Sequence, residues 1–323
     1  MSETPLLEVS NVTKHFPMKA GMFQRSKQHV KAVNGVDLII REGETLGVVG
    51  ESGCGKSTLG RLIIGLEKMT DGTIHFQGDS IGELSDRRMK KYKRHLQMIF
   101  QDPFASLNPR QKIGDALEEV FIIHDVSMNK QQRKQRVQSL LTEVGLKPEH
   151  YHRYPHEFSG GQRQRVGIAR ALALNPSLIV CDEAVSALDV SVQAQVMKLL
   201  KDLQEKYQLS YLFISHDLGV VRHMSDRVLV MYLGAQVELG DASQIYANPL
   251  HPYTKALLSA IPRPNTKVKR ERIKLQGDMP SPANYPKGCP FHTRCPIAQS
   301  YCAEITPEYR EIEKNHFVAC HEV

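Results

Sequence analysis

The sequence predicts an α/β protein with a mainly parallel β-sheet, and three short apolar runs support this fold class. The runs cover residues 45–49, 178–181 and 211–214. Each has the length and continuous hydrophobicity of a strand that is buried on both faces, as strands of parallel sheets are. Glycine or polar residues follow each run directly. Because ligands of open parallel sheets bind at the carboxyl ends of the strands, these ends predict the functional site.

The first run leads into a glycine-rich loop, Gly50-Glu-Ser-Gly-Cys-Gly-Lys-Ser57, and then into a predicted helix. The loop fits the phosphate-binding pattern G-x-x-x-x-G-K-[S/T]. In this pattern Lys56 reaches the β- and γ-oxygens, and the hydroxyl of Ser57 ligates Mg²⁺. The thiol of Cys54 lies at the helix start, where its pKa is expected to fall. The predicted nucleotide contacts here are Gly50, Glu51, Ser52, Gly53, Cys54, Gly55, Lys56, Ser57 and Thr58.

A second glycine-rich turn, Ser159-Gly-Gly-Gln162, opens another predicted helix. Like the first, it presents backbone N–H groups and the positive end of a helix dipole to an anion. One nucleotide does not need two such cradles on one chain. The sequence therefore predicts that a nucleotide is held between two chains, with this turn capping the nucleotide of the partner.

Polar side chains at three further strand ends complete the predicted site. Asp182 and Glu183 follow the second run. Asp182 is expected to hold Mg²⁺ and Glu183 to orient and deprotonate the attacking water, with helix capping as the alternative for the pair. His216 follows the third run and is expected to contact the γ-phosphate, with a structural histidine as the alternative. Gln101 ends a further predicted strand and can reach the metal or the water.

In order and spacing, these residues resemble the nucleotide-binding subunits of ATP-binding cassette (ABC) transporters. The resemblance covers about residues 6–262 and implies a P-loop NTPase core with an N-terminal antiparallel β part, binding ATP and Mg²⁺. It also matches Phe16 to the aromatic that stacks on adenine, for which a core position is the alternative. The carried-over residues are the Walker A loop 50–57, the Q-loop Gln101, the signature Ser159, Gly160, Gly161 and Gln162, the Walker B pair Asp182 and Glu183, the D-loop 186–189 with Asp189, and the switch histidine His216. Of these, Glu183, His216 and Gln101 are catalytic, and Ser57, Gln101 and Asp182 hold Mg²⁺.

Two segments after Gln101 carry apolar residues at helical spacing, which predicts a helical subdomain over about residues 103–172. This subdomain would lie within a nucleotide-binding domain of residues 1–262. In the family it contacts the membrane-spanning partners, and Gln101 is its hinge. Phe104 and Leu107, in the link to this insert, are either exposed for such a partner or buried inside the insert.

The last part of the chain, residues 263–323, has a different composition. Eight of the 17 prolines lie between Pro262 and Pro307, which disfavours long helices and strands there. Four of the six cysteines also lie in this tail, at Cys289, Cys295, Cys302 and Cys320. In a chain without a secretory signal, a metal is favoured over disulfides. The residues alone leave a 4Fe–4S cluster, zinc and free thiols open.

Segments 251–255, 257–258 and 288–296 resemble the C-terminal extension of the dipeptide, oligopeptide and nickel import class, and the dipeptide permeases most closely. Relatives in this class carry a 4Fe–4S cluster on such cysteines. The resemblance therefore implies a regulatory extension with a 4Fe–4S cluster on the four tail cysteines, and Zn²⁺ as the alternative.

The same resemblance implies an ATPase subunit that powers the import of di- or oligopeptides by ATP-driven dimer closure. Its expected partners are a second, homologous ATP-binding subunit in a heterodimer, two membrane-spanning permease subunits and, indirectly, an extracytoplasmic peptide-binding protein. Nickel chelates, glutathione and antimicrobial peptides are the alternative substrates. A soluble ABC ATPase outside transport is the alternative class.

The hydropathy and the charge of the sequence limit where the protein can be located and which partners it can have. No apolar run reaches the ~18–20 residues that cross a bilayer, and the N-terminus lacks the apolar region of a signal peptide. The expected location is the cytoplasmic face of the bacterial inner membrane. The formal net charge is +7, with basic clusters at residues 87–94 and 267–274. Few aromatic residues accompany them, so we expect no nucleic-acid partner. The basic clusters are expected either to form a solvated surface or to lie near anionic lipid headgroups.

Overall fold

The computed structural model describes residues 5–18, 29–102, 107–261 and 272–323, and the chain forms two compact units. The first unit comprises Met1–Arg41, Thr45–Glu83 and Ile214–Val323, and the second comprises Glu42–Glu44 and Leu84–Phe213. Both units combine strands with helices, which confirms the predicted α/β class. The domain boundaries predicted from composition stay predictions.

The elements are numbered in chain order. The strands are β1 (Leu7–Pro17), β2 (His29–Ile40), β3 (Thr45–Val49), β4 (Asp71–Phe76), β5 (Asp79–Ser80), β6 (Leu96–Ile99), β7 (Leu178–Asp182), β8 (Ser210–Ile214), β9 (Arg227–Tyr232), β10 (Ala235–Asp241), β11 (Tyr309–Glu313) and β12 (His316–Ala319). The helices are α1 (Lys56–Ile63), α2 (Asp86–Lys93), α3 (Ile113–Ile123), α4 (Lys130–Glu143), α5 (Gly160–Leu172), α6 (Val190–Tyr207), α7 (Leu218–Met224), α8 (Ala242–Ala247) and α9 (Pro252–Ser259).

The N-terminal part of the first unit is an antiparallel sheet in the order β2-β1-β4-β5. The central strand β1 pairs antiparallel with both β2 and β4. Its apolar residues Leu7, Val9 and Val12 are buried and anchor the strand in the core. The antiparallel N-terminal part predicted by the resemblance is therefore confirmed.

The strand that precedes the phosphate loop, β3, is buried along its whole length and pairs in parallel with β9. On its other side β9 pairs antiparallel with β10, which in turn pairs antiparallel with β12. The hairpin of β11 and β12 lies in the C-terminal extension, where the density of proline predicted no long elements. Its strands have only five and four residues and begin after the last proline, Pro307.

In the second unit β6 pairs in parallel with β7, and β7 neighbours β8. Every residue of β7 and of β8 is buried, as the continuous apolar runs predict. The two helical segments predicted after Gln101 are observed as α3 and α4, which contact each other and have buried residues that include Leu117 and Leu140. Leu107 is 5% exposed, so its side chain is buried. Phe104 lies outside the described residues.

The first basic cluster forms most of α2, whose buried residue is Met89. Lys90 pairs with Asp125 at 2.7 Å, and both side chains are largely exposed, as the solvated-surface interpretation expects. The second cluster lies partly outside the described residues. No helix in the described ranges has both the length and the hydropathy needed to span a membrane.

Candidate functional site

The phosphate loop of the first unit connects β3 to α1. The helix begins after Gly55, which has a φ of 103° and provides no side-chain cap. A Cβ atom at Gly55 would lie 2.1 Å from the carbonyl oxygen of Ala32, so glycine is required for both backbone conformation and space. No side chain caps α1, and the N-terminus of a helix is where backbone N–H groups and the helix dipole favour an anion.

Lys56 places a cation inside this loop. Its side chain is buried, with the residue 4% exposed. Its ammonium donates to the carbonyl oxygens of Gly50 at 2.8 Å and of Glu51 at 3.0 Å. The two carbonyl groups fix the position of this buried ammonium, but they are neutral and do not cancel its positive charge. The loop can therefore exchange these contacts for phosphate oxygens.

Cys54 corrects one expectation from the sequence. The thiol is fully buried, and this burial raises its pKa above the ordinary value of 9.0. The neighbouring ammonium of Lys56 acts in the opposite direction but is the smaller effect. The predicted fall in pKa at the helix start is therefore wrong, because desolvation outweighs the helix dipole and the nearby charge. Cys54 is a small packed side chain and not an activated nucleophile.

Arg294 of the C-terminal extension and Tyr253 of α9 contact this loop, and the sequence did not predict either contact. The guanidinium of Arg294 donates to the carboxylate of Glu51 through Nη1 at 2.6 Å and Nη2 at 3.1 Å. The hydroxyl of Tyr253, on α9, accepts a hydrogen bond from the Glu51 N–H at 2.8 Å. Glu51 and Arg294 are 243 positions apart, so no local pattern could have paired them.

The acidic residues of the second unit lie at the end of β7. Asp182 is the last residue of the strand and is 3% exposed. Glu183 follows in the left-handed region, with a φ of 49°, a conformation that costs a non-glycine residue energy. The side-chain amide of Gln101 donates to its carboxylate at 2.8 Å, and the hydroxyl of Ser186 donates to its carbonyl at 2.9 Å. The structure thus brings together the predicted glutamine and general base.

The signature turn of the second unit begins α5. Ser159 is its N-cap and Gly160 its first helical residue. The Ser159 hydroxyl accepts from the Gln162 N–H at 3.3 Å, and the Gln162 side chain accepts from the Ser159 N–H at 3.0 Å. This reciprocal capping box satisfies two backbone donors at the start of α5.

The remaining predicted nucleotide contacts lie at the surface of their own units. His216 is exposed just after β8, and Asp189 is the exposed N-cap residue of α6. Phe16 is half-buried on β1, with the ammonium of Lys14 4.7 Å from its ring centroid. A ring already facing a cation on one face is compatible with stacking and with a structural position alike, so the assignment of Phe16 stays a prediction.

The four tail cysteines lie close enough to affect one another. Burial raises the pKa of Cys289 to about 11, and the other three thiols add to the rise. Burial also raises the pKa values of Cys295 and Cys320. The N–H of Cys289 donates to the carbonyl of Cys302 at 2.8 Å. Nevertheless, the described residues contain no group of three or more His, Cys, Asp or Glu side chains arranged to hold a metal ion.

Two families match the chain. The ABC transporter family matches residues 33–186, and the oligopeptide/dipeptide transporter C-terminal region matches residues 237–302. The first match contains the phosphate loop, the signature turn and the acidic pair, and the second includes α9 and the first three tail cysteines. The two glycine-rich helix starts and the cysteine-rich tail are therefore features of recognised families.

Similar proteins and solved structures agree. The chain is 57% identical to the oligopeptide transport ATP-binding protein AppF of Bacillus subtilis, covering 99% of this chain and 98% of that protein. It is 51% identical to the dipeptide transport ATP-binding protein DppF of Escherichia coli, covering 98% and 94%. The dimeric ATP-binding cassette MJ0796, solved with ADP and Pi, matches with a TM-score of 0.65 at 30% identity, covering 73% and 98%. This chain therefore belongs to the ABC transporter family, among its ATP-hydrolysing subunits.

Proposed function

We propose that this chain hydrolyses ATP to power the import of dipeptides or oligopeptides from the cytoplasmic face of the bacterial inner membrane. The observation that carries the proposal is the pair of glycine-rich helix starts, one with a buried lysine and one with a serine cap. The relatives AppF and DppF are oligopeptide and dipeptide transport ATP-binding proteins, which favours a peptide over a nickel chelate or glutathione. Uptake assays in a strain that lacks this chain would identify the substrate.

The phosphate loop would hold the triphosphate through Lys56 and the N–H groups of the first turn of α1. Mg²⁺, with Ser57, Asp182 and Gln101 as its proposed ligands, would neutralise charge on the phosphate oxygens. Phe16 would stack on adenine. These assignments rest on the motifs and on the local geometry described for each unit.

Glu183 would accept a proton from the attacking water, and Gln101 would hold its carboxylate through the observed 2.8 Å hydrogen bond. His216 would contact the γ-phosphate at the end of β8. The strained backbone at Glu183 supports this role, because such conformations concentrate at functional positions.

The signature turn would complete a second chain's site, with Ser159, Gly160 and Gly161 facing the partner's γ-phosphate and Asp189 near the same interface. The dimeric state of the MJ0796 cassette supports a sandwich of two cassettes. We propose a heterodimer with a homologous ATP-binding subunit, joined to two permease subunits that receive peptides from an extracytoplasmic binding protein. ATP-driven closure and reopening of the pair would then drive alternating access.

The test is Glu183→Gln in the assembled transporter. Removing the general base should lower ATP turnover by about a hundredfold or more while ATP binding is retained and a closed dimer accumulates. Turnover is measured by phosphate release and dimer formation by light scattering. Glu205→Gln, on the exposed face of α6, is the matched control and should leave both unchanged. Normal turnover in Glu183→Gln would remove the proposed base.

We further propose that Cys289, Cys295, Cys302 and Cys320 hold a 4Fe–4S cluster. Four thiols gathered in one tail and influencing each other's pKa support the ligand set. As placed, their side chains do not form a ready metal site, so ligation would require them to rearrange. Full-length protein purified without oxygen should contain about four iron and four sulfide per chain. Zinc in place of iron, or colourless metal-free protein, would contradict the assignment.

A further inference from the structure

The strongest unexplained contact in the first unit joins the phosphate loop to the cysteine-rich extension. Arg294 and Glu51 form a bidentate ion pair, with both N–O distances within hydrogen-bonding range. The side chain of Arg294 is 8% exposed and that of Glu51 is 31% exposed. A bidentate guanidinium–carboxylate pair with a buried cation is geometrically specific, unlike an ordinary surface ion pair.

Glu51 is fixed at three points. Its carboxylate is held by Arg294 and its N–H by the hydroxyl of Tyr253. Its carbonyl accepts from the ammonium of Lys56 and from the Cys54 N–H at 3.2 Å. The backbone of the phosphate loop at this position is therefore set by residues that lie outside the loop as well as by the loop itself.

Arg294 is itself anchored to the body of the first unit. It ends the 3₁₀ turn His292–Arg294, just after Phe291, which is 1% exposed. The Phe291 ring lies 5.2 Å from the ring of Tyr232 and 5.4 Å from that of Tyr253, measured between centroids. The Arg294 guanidinium lies 5.9 Å from the Tyr232 ring centroid. This aromatic cluster keeps the guanidinium aimed at the loop.

The charge of Glu51 makes this anchoring important for ATP. A carboxylate in a loop that binds a triphosphate repels its ligand, and the repulsion is stronger where water is excluded. Arg294 compensates the carboxylate and pulls it toward the extension. Without Arg294, the same carboxylate would be uncompensated beside the phosphates and the loop would lose one of its three attachments.

We propose that Arg294 is a positioning residue for ATP binding, holding and neutralising Glu51 so that the phosphate loop accepts the triphosphate. The inference rests on the proposed role of this loop as the ATP site. It connects the C-terminal extension to the nucleotide site through Glu51 and the turn His292–Arg294, which Cys295 follows.

The experiment measures binding of a fluorescent ATP analogue to the full-length chain. Arg294→Ala should weaken binding by about tenfold, the size expected for a lost charge-assisted pair. Glu51→Gln combined with Arg294→Ala should restore binding to within about threefold of the parent, because the repelling charge is then gone. Arg294→Lys, which keeps the charge but not the fork, should give an intermediate affinity. In the assembled transporter Arg294→Ala should raise KM far more than it lowers kcat.

Arg310→Ala is the matched control, since Arg310 lies in the same extension and bonds to the backbone carbonyl of Val323. It should bind ATP like the parent. Parent-like binding by Arg294→Ala would overturn the inference. So would equally weak binding by Arg294→Ala and the double variant, because the loss would then come from structural damage and not from the exposed carboxylate.

Lys56→Ala separates this inference from the proposed function. If the parent binds ATP, Lys56→Ala does not and Arg294→Ala binds normally, the ATP site stands and the positioning role fails. If the parent and Lys56→Ala give the same signal, the ATP site itself is wrong.

Discussion

The chain builds two glycine-rich helix starts in opposite ways. The phosphate loop ends in Gly55, has no side-chain cap and encloses the buried ammonium of Lys56. The signature turn is closed by its own capping box between Ser159 and Gln162, and Ser159 is exposed. Residues far away in the sequence help to hold the phosphate loop in place. In the signature turn, by contrast, the capping hydrogen bonds join residues that lie within four positions of each other.

This difference agrees with the proposed roles of the phosphate loop as the main binding site and of the signature turn as an accessory one. A triphosphate needs a cation, several N–H donors and compensation of nearby acidic groups, and the phosphate loop has all three. The signature turn adds N–H groups and a hydroxyl on an exposed surface, which suits a nucleotide already bound to another chain. The two regions should therefore respond differently to mutation and to pH.

The largest expected effect that separates the two regions comes from Gly160→Asp. A Cβ atom at this position meets only the Leu188 side chain, at the ordinary distance of 3.7 Å, so the fold should tolerate it. An acidic residue in the first turn also suits the dipole of α5. It would repel the partner's γ-phosphate, so turnover of the assembled transporter should fall about a hundredfold, while the chain's own ATP binding is unchanged.

Gly167→Ala, in the same helix, is the control for this variant. A Cβ atom there meets no other atom within 4 Å, so turnover should be unchanged and helix stability should rise by about 0.5–1 kcal/mol. Phosphate release and equilibrium ATP binding are measured for both variants. Full turnover by Gly160→Asp would mean that the two glycine-rich starts do not share one nucleotide.

The second expected effect is a pH dependence that arises from a buried histidine linked to the phosphate loop. His251 caps α9, where its Nδ1 accepts from the Tyr253 N–H at 3.1 Å. Burial lowers the pKa of His251 to about 4. Protonation would remove the acceptor and disturb Tyr253, which holds the Glu51 N–H. Because the folded ring titrates near 4, the ATP affinity of the phosphate loop should fall only as the pH approaches 4.

The sign follows from the two pKa values. The unfolded imidazole titrates near 6.5 and the folded one near 4, so the unfolded state takes up the proton first. This contribution to stability is complete above about pH 7 and is lost as pH falls from about 6.5 to 4. Between pH 7.5 and 5 the free energy of unfolding should drop by about 2 kcal/mol from this group.

Denaturant unfolding is measured at pH 7.5, 6 and 5, and ATP binding at pH 7.5, 5 and 4. His251→Asn keeps a capping acceptor without a titrating ring. Its free energy of unfolding should therefore fall by about 2 kcal/mol less than that of the parent between pH 7.5 and 5. His223→Asn, at an exposed position, should follow the parent. A parent-like slope in His251→Asn would assign the acid sensitivity to other groups.

Much of the fold and of the candidate site is readable from the sequence because the signals are local. The apolar runs of β3, β7 and β8 and the two glycine-rich turns are contiguous patterns, so their elements could be predicted. The pairing of Gln101 with Glu183 follows from two strand ends in one unit. The individual catalytic and ligand roles stay predictions, since they concern groups bound only during turnover.

The errors concern properties set by distant packing. The pKa of Cys54 depends on how deeply the thiol is buried, which the motif does not encode. The pair of Arg294 and Glu51 joins segments far apart in the chain, and a single arginine carries no periodic signal. The hairpin of β11 and β12 follows the last proline, Pro307, and its strands are too short for alternation alone to have predicted them.

The smallest expected effect concerns the cap of the signature turn. Ser159→Ala removes the acceptor of the Gln162 N–H and should destabilise the first turn of α5 by about 1 kcal/mol. Faster amide hydrogen exchange in that turn would report the loss locally. Ser159→Asn supplies an equivalent cap and should restore protection.

If turnover recovers together with protection, Ser159 acts only as a cap. If protection recovers but turnover does not, the serine hydroxyl itself contacts the partner's nucleotide. Unchanged exchange in Ser159→Ala would mean that the capping box does not stabilise this turn, and its contrast with the phosphate loop would then disappear.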